Sequence, residues 1–195
     1  MDLAVPSQLL EISNIHMMPF TRKDKYPPIA TLQYNTPQLN MKHCSILTPI
    51  LKIVDWNPVK GRLRLNCDEH PFFQTKMSAI QEYLINTIHT YQNVLLNSFD
   101  SFGSDSGPDR RYSREEIRSV FKVIFEEPFL TCYISPHHLF PLYAKGERVG
   151  LQDFNTLLRS GVQLRLILQL NGVSHLPGNS FRIQHQILGA YIISN

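Results

Sequence analysis

The side chains able to do chemistry in this chain form two kinds of group. The first is compact and titratable: Asp68-Glu69-His70 and the pair His137-His138. Adjacent residues of a strand point to opposite faces, so His137 and His138 cannot readily share one metal ion and read as a surface or edge-strand pair. Asp68-Glu69-His70 stands before a helical stretch, where a carboxylate caps free backbone N–H groups and complements the helix dipole. Neither cluster is joined by a known catalytic signature. The sequence contains no G-x-x-x-x-G-K-[ST], no G-x-G-x-x-G, no H-E-x-x-H, no G-x-S-x-G and no C-x-x-C pair. The expectation is a protein that is not an enzyme and holds no cofactor and no metal.

The second kind of group interleaves cations with aromatics. Lys52, Lys60, Arg62 and Arg64 flank Trp56; Tyr143, Lys145 and Arg148 share one loop; Arg159, Arg165, Phe181 and Arg182 follow. Single-stranded nucleic acid asks a protein for cations that track its phosphates and flat side chains on which unpaired bases stack. On that logic the nine Lys and Arg residues of this set are phosphate contacts, and Trp56, Tyr143 and Phe181 are stacking candidates. Each also has a structural explanation. Arg62, Arg64 and Arg165 can simply solvate the outer faces of strands, and Trp56 can pack a turn or the core.

These residues must be positioned by strands. Arg62-Leu63-Arg64-Leu65-Asn66-Cys67 alternates apolar and polar positions, as a half-buried strand does. Ser45–Val54, interrupted by Pro49, reads as an edge or bulged strand that forms a hairpin with it across Asp55-Trp56-Asn57-Pro58. Ile29–Tyr34, Phe129–Ser135 and Leu139–Ala144 are shorter strands. Val162, Leu164, Leu166, Leu168 and Leu170 face one way along the clearest strand, Asn171-Gly172 and Pro177-Gly178-Asn179 are turn material, and Phe181–Ser194 returns as a long strand. Between the two β regions, Phe73, Met77, Ile80, Leu84, Ile88, Tyr91 and Leu95 recur at helical spacing, predicting a long amphipathic helix over 73–97 whose outer face is Gln, Asn, Ser and Thr. Ser113-x-x-Glu116 is a capping box for a second, short helix. The Ser- and Gly-rich stretch at about 98–112 is a mobile loop between them.

The chain has 195 residues with 43% hydrophobic and 18% charged side chains and a formal charge of +3. This is one globular domain with a buried core, not a disordered or fibrous chain. Residues 1–127 hold 14 Lys and Arg against 14 Asp and Glu. The surplus therefore belongs to Lys145, Arg148, Arg159, Arg165 and Arg182, opposed by Glu147 and Asp153. Cys44, Cys67 and Cys132 are widely spaced and read as reduced, buried thiols of an intracellular, cytoplasmic protein. No basic-then-apolar leader opens the sequence, and no run of roughly 18 apolar residues predicts a membrane span.

The segments 154–173 (FNTLLRSGVQLRLILQLNGV) and 181–192 (FRIQHQILGAYI) resemble the end of the single-stranded DNA-binding proteins of large nucleocytoplasmic DNA viruses, the poxvirus and asfarvirus-like group. Tyr34-Asn35-Thr36-Pro37-Gln38-Leu39 and Tyr112-Ser113-Arg114-Glu115-Glu116-Ile117 are compatible with the same family, over most of residues 26–194. In such relatives an aromatic tends to follow the strand-ending Gly, whereas Val173-Ser174-His175 follows Gly172 here, leaving His175 to stack. An acidic C-terminal tail often ends them; this sequence shows none, and either the tail is absent or the sequence is a trimmed core. The order of elements predicts an α+β, mainly antiparallel fold, a partly closed barrel with the long helix and the second short helix inserted, and the resemblance makes that barrel OB-like. The first 25 residues are mixed and end in the polar cluster Thr21-Arg22-Lys23-Asp24-Lys25, which reads as an N-terminal arm at 1–25 ahead of one nucleic-acid-binding domain at 26–195. The implied function is sequence-tolerant single-stranded DNA binding that protects exposed strands in viral replication, repair or recombination in the host cytoplasm. RNA is the alternative ligand, with self-association or replication proteins as further partners. The rival reading is a protein-interaction module that docks a partner through the barrel or the helix 73–97.

Overall fold

The computed structural model describes residues 3–22, 25–96, 111–135, 139–177 and 180–194. His137-His138 and nearly all of the loop expected at 98–112 lie outside the described residues. The fold is α+β: among the described residues, three α-helices and a short 3-10 turn at Ile12–Asn14 accompany strands that join in one open, mixed sheet. Its strands are β1 (Val5–Pro6), β2 (Ile15–Thr21), β3 (Ile29–Thr36), β4 (Leu39–Met41), β5 (Cys44–Leu47), β6 (Leu51–Asn57), β7 (Arg62–Asn66), β8 (Phe121–Lys122), β9 (Phe125–Glu126), β10 (Phe129–Tyr133), β11 (Leu142–Ala144), β12 (Glu147–Arg148), β13 (Gln163–Leu176) and β14 (Ser180–Ser194). The helices are α1 (Pro71–Leu96), α2 (Arg114–Val120) and α3 (Leu151–Leu157). The main path through the sheet runs β12-β11-β14-β13-β6-β7-β10-β9.

The alternation along β13 decides this layout. Leu164, Leu166, Leu168 and Leu170 are all buried, so one face of the strand faces the core. One edge of β13 pairs with β14 along its whole length. The other edge serves β6, then β5, then β3 in succession. Asn171-Gly172 is not the turn that its composition suggests. The strand runs through it with a shift of register, because β3 crosses so closely that a Cβ on Gly172 would lie 2.2 Å from the Ala30 carbonyl oxygen. Most pairings are antiparallel, as expected, and three are parallel (β1 with β5, β8 with β14, β11 with β14), which makes the sheet mixed.

The N-terminal segment is not an arm. β2 pairs with β3, β1 pairs with β5, and Leu10, Ile15 and Phe20 are in the core. Ser45–Val54 divides at Thr48-Pro49-Ile50 into β5 and β6, and only β6 forms the hairpin with β7, with a bulge between Ile53 and Asp55. α3 has no counterpart in the sequence expectations; it buries Phe154, and Leu158 just beyond it is also buried.

Helix α1 starts at Pro71, whose missing N–H costs nothing in the first turn. Phe73, Met77, Ile80, Leu84 and Ile88 are buried as their spacing predicts. Tyr91 leaves the stripe: the backbone kinks there (φ −107°, ψ 16°) and the side chain is 55% exposed. The carboxylate of Asp68 does not cap the helix; it accepts from Asn66 in the preceding turn, and the His70 carbonyl receives the first helical bond from Gln74. Three buried glutamines of α1 are engaged with their own chain. Gln74 donates to the Cys67 carbonyl, and Gln92 both donates to the Tyr112 carbonyl and accepts from its N–H. Gln81 does the same for Phe125, accepting its N–H at 3.0 Å and donating to its carbonyl at 3.1 Å. Phe125 lies in β9, the last strand of the path, so Gln81 supplies the partner that its free edge lacks. The capping box at Ser113 forms as expected, and Arg114 and Arg118 both reach Glu82 on α1. Cys44, Cys67 and Cys132 are free and buried, and burial pushes each thiol up to about 12.

Candidate nucleic-acid interface

β7 and β10 are separated by α1 and α2 in sequence but are neighbours in the sheet. Leu63 and Leu65 face the core with Leu130 and Cys132. Strict alternation then puts Arg62, Arg64 and Asn66 on the outer face beside Tyr133, Thr131 and Phe129, their respective register partners. The Arg64 guanidinium lies over the Phe129 ring, 3.8 Å from its centre, a cation–π contact across one strand pair. Arg62 donates to Asp55 at 2.8 Å, an ion pair open to solvent and hence weak. The Arg62 Nε has no hydrogen-bond partner among the described residues.

The segment 121–126 crosses over this outer face and turns it into a groove. One part, about 210 Å³, is lined by Arg62, Arg64, Phe129, Thr131 and Tyr133 against Val123, Ile124 and Glu126. The adjoining part, about 550 Å³, shares Val123, Ile124, Glu126 and Tyr133 and continues to Lys122, Arg182 and His185. Arg182 is exposed on β14, and its neighbour in the parallel pairing is Lys122 of β8. Four cations thus share the groove with one carboxylate, Glu126. Tyr133 is 59% exposed and supplies an open ring at the point where the two parts meet.

His185 fixes that junction. The Tyr133 backbone N–H can only donate, so the Nε2 that it meets at 2.9 Å is an acceptor and the ring proton sits on Nδ1, toward the Ile183 carbonyl. Burial holds the His185 pKa below its ordinary value, partly countered by that carbonyl, and keeps the ring neutral. β10 therefore meets β14 through a side chain where no ladder joins them.

Comparison of the chain with family models, with curated proteins and with solved structures returns no match.

The sequence-selected residues separate into three sets. Arg62, Arg64 and Arg182 line the groove. Lys52, Tyr143, Arg148 and Arg165 stand on other strands, where Arg148 pairs with Tyr143, Tyr143 with Tyr191 and Tyr191 with Arg165. Lys60, Lys145 and Arg159 are exposed on turns and do not line it. Lys145 and Gly146, at φ +52° and +83°, form the two-residue turn of the β11–β12 hairpin.

Two of the three stacking candidates are engaged in the fold. Phe181 is 2% exposed, with His175 stacked on it at 5.0 Å and Phe20 tilted against it at 6.4 Å, so neither Phe181 nor that face of His175 is open to a base. Trp56 pairs in register with Leu63 and so faces the core side. It meets Phe154 edge-on, and its Nε1 donates to Asn155 at 3.0 Å. The aromatics that do line the groove, Phe129 and Tyr133, went unselected. Their signal was present: in Phe129–Tyr133 the apolar alternation of Leu130 and Cys132 leaves both rings on the polar side.

Proposed function

We propose that this chain is a non-enzymatic protein that binds single-stranded DNA, with little regard to sequence, in the groove over β7 and β10. The observation that supports it is the convergence of Arg62, Arg64, Lys122 and Arg182 with the rings of Phe129 and Tyr133 in one open cleft, the pairing of phosphate and base contacts that a single strand requires. The resemblance of residues 154–173 and 181–192 to viral single-stranded DNA-binding proteins supports the same reading, and with it a role in protecting exposed strands during viral replication, repair or recombination in the cytoplasm. The path β14-β13-β6-β7-β10 returns to β14 at Tyr133 and His185, which supports an OB-like, partly closed barrel. Docking of a protein partner through the barrel or α1 is the second reading.

Fluorescence anisotropy with labelled oligo(dT) across a salt series tests the proposal. On single strands each contacted phosphate contributes about 0.7 to the slope of log K against log salt, so four cations give a slope of about 3 in magnitude. Arg64→Ala/Arg182→Ala lowers that slope by more than about 1. Undetectable or salt-insensitive binding by the wild type refutes the reading, and tighter binding of oligo(rU) than of oligo(dT) transfers it to RNA.

A further inference from the structure

The sheet carries a second cation–aromatic arrangement away from the groove. Across β12, β11, β14 and β13, the residues Arg148, Tyr143, Tyr191 and Arg165 are consecutive register partners, so all four lie in one row on one face. Tyr143 and Tyr191 stack on each other, with ring centres 5.2 Å apart and planes 16° apart. Tyr191 is 39% exposed and Arg148 is exposed. The Nε of Arg165 is buried and has no hydrogen-bond partner among the described residues. An arginine brackets the stacked pair at each end. At strand spacings of about 4.8 Å the row spans roughly 14 Å.

The row also connects to the groove. Gln163 lies two residues from Arg165 on the same strand and therefore on the same face; it pairs with Lys52, Lys52 with Asn66, and Asn66 with Phe129 at the groove floor. No member of that series is acidic, and Glu147, opposite Ala144, falls on the other face by alternation.

We propose that Arg148, Tyr143, Tyr191 and Arg165 form a second contact site for the same single strand, which leaves the groove past Phe129, crosses β6 at Lys52 and reaches the tyrosine pair. The partner chemistry is that of a polyanion carrying flat groups: guanidinium for phosphate, phenol rings for bases. The inference rests on the single-strand reading of the groove and adds to it a length requirement. A short oligonucleotide fills the groove alone, and a longer one is needed to engage both sites.

The test compares oligo(dT) of about 6 and about 20 nucleotides by anisotropy. Tyr143→Leu/Tyr191→Leu, which keeps apolar bulk on the sheet, weakens the longer oligonucleotide about tenfold or more and leaves the shorter one unchanged. Arg148→Gln/Arg165→Gln, which leaves the rings in place, lowers the salt slope for the longer oligonucleotide by about 1 and not that for the shorter. If the wild type binds both lengths and neither double variant alters the longer one selectively, the second site is refuted while the groove reading stands. If the wild type binds neither length, both fall.

Discussion

Replacing Gln81 with Met tests how the groove wall is built. The Gln81 side chain accepts from the Phe125 N–H at 3.0 Å and donates to the Phe125 carbonyl at 3.1 Å, from a buried position on α1. Methionine keeps the length and the apolar stem but offers neither a comparable donor nor a comparable acceptor. The substitution leaves two backbone groups of β9 without partners, and an unsatisfied buried group costs about 1–3 kcal/mol. Water can reach part of a strand edge, so the expected loss is about 2–4 kcal/mol, the lower part of the range for two groups. Urea denaturation followed by circular dichroism should show a lower midpoint with an unchanged m value. β9 also carries Glu126, and Ile124 precedes it, on the wall of the groove. Oligo(dT) affinity should therefore fall in Gln81→Met under conditions where the protein is still folded. A stability change below about 0.5 kcal/mol, the range of an ordinary surface substitution, would refute the argument that Gln81 completes the edge of β9.

Three further outcomes follow from the same structure. His185 is neutral in the fold with its pKa depressed, so below about pH 6.5 the unfolded chain binds more protons than the folded one. Stability should be level above that pH and fall as the pH drops through it, and in His185→Gln that fall should be smaller; an identical pH profile in the variant excludes His185 as the cause. The three thiols, raised to about 12 by burial, should not react with a thiol-specific reagent at pH 8 in the native protein, and all three should react in denaturant. Gly61 has φ +58°, and a Cβ there would lie 2.0 Å from the Ile134 carbonyl oxygen, in the turn that bonds the β6–β7 hairpin to the residue after β10. Gly61→Ala should cost at least about 2 kcal/mol, and an unchanged urea midpoint would contradict that geometry.

What the sequence made legible was whatever a local period or a local motif encodes. β7, the first half of β13 and most of α1 follow from the spacing of their apolar residues, and α2 from Ser113 and Glu116. The N-terminal segment reads as an arm because Leu10, Ile15 and Phe20 stand five residues apart, which fits neither the strand nor the helix period; they are buried through pairing with β3 and packing against α1 and its neighbours, which no window of sequence contains. The kink at Tyr91 likewise leaves no mark on the spacing of the stripe. In the groove, Arg62, Arg64 and Arg182 stand out by type, but their meeting with Phe129, Tyr133 and Lys122 depends on strands brought together from either side of α1. Phe181 illustrates the converse. An aromatic at the start of a basic strand has the composition of a stacking residue, and only the approach of Phe20 and His175 puts it in the core.

The long β13–β14 ribbon carries a consequence for the order in which the molecule assembles. β3, β5 and β6, all within the first 57 residues, take their partner from residues 163–176; Leu166 donates to Thr48 across 118 positions. Such pairings close very large loops before any contact rewards them, which places the chain among slow folders. During synthesis the early strands stay unpaired along the edge that β13 will cover, and they are the segments open to misassociation in that interval. Arg182 and His185, which finish the groove, arrive on β14, later in the sequence than every other residue that lines it. The cleft proposed for a single strand therefore does not exist until β14 has closed it.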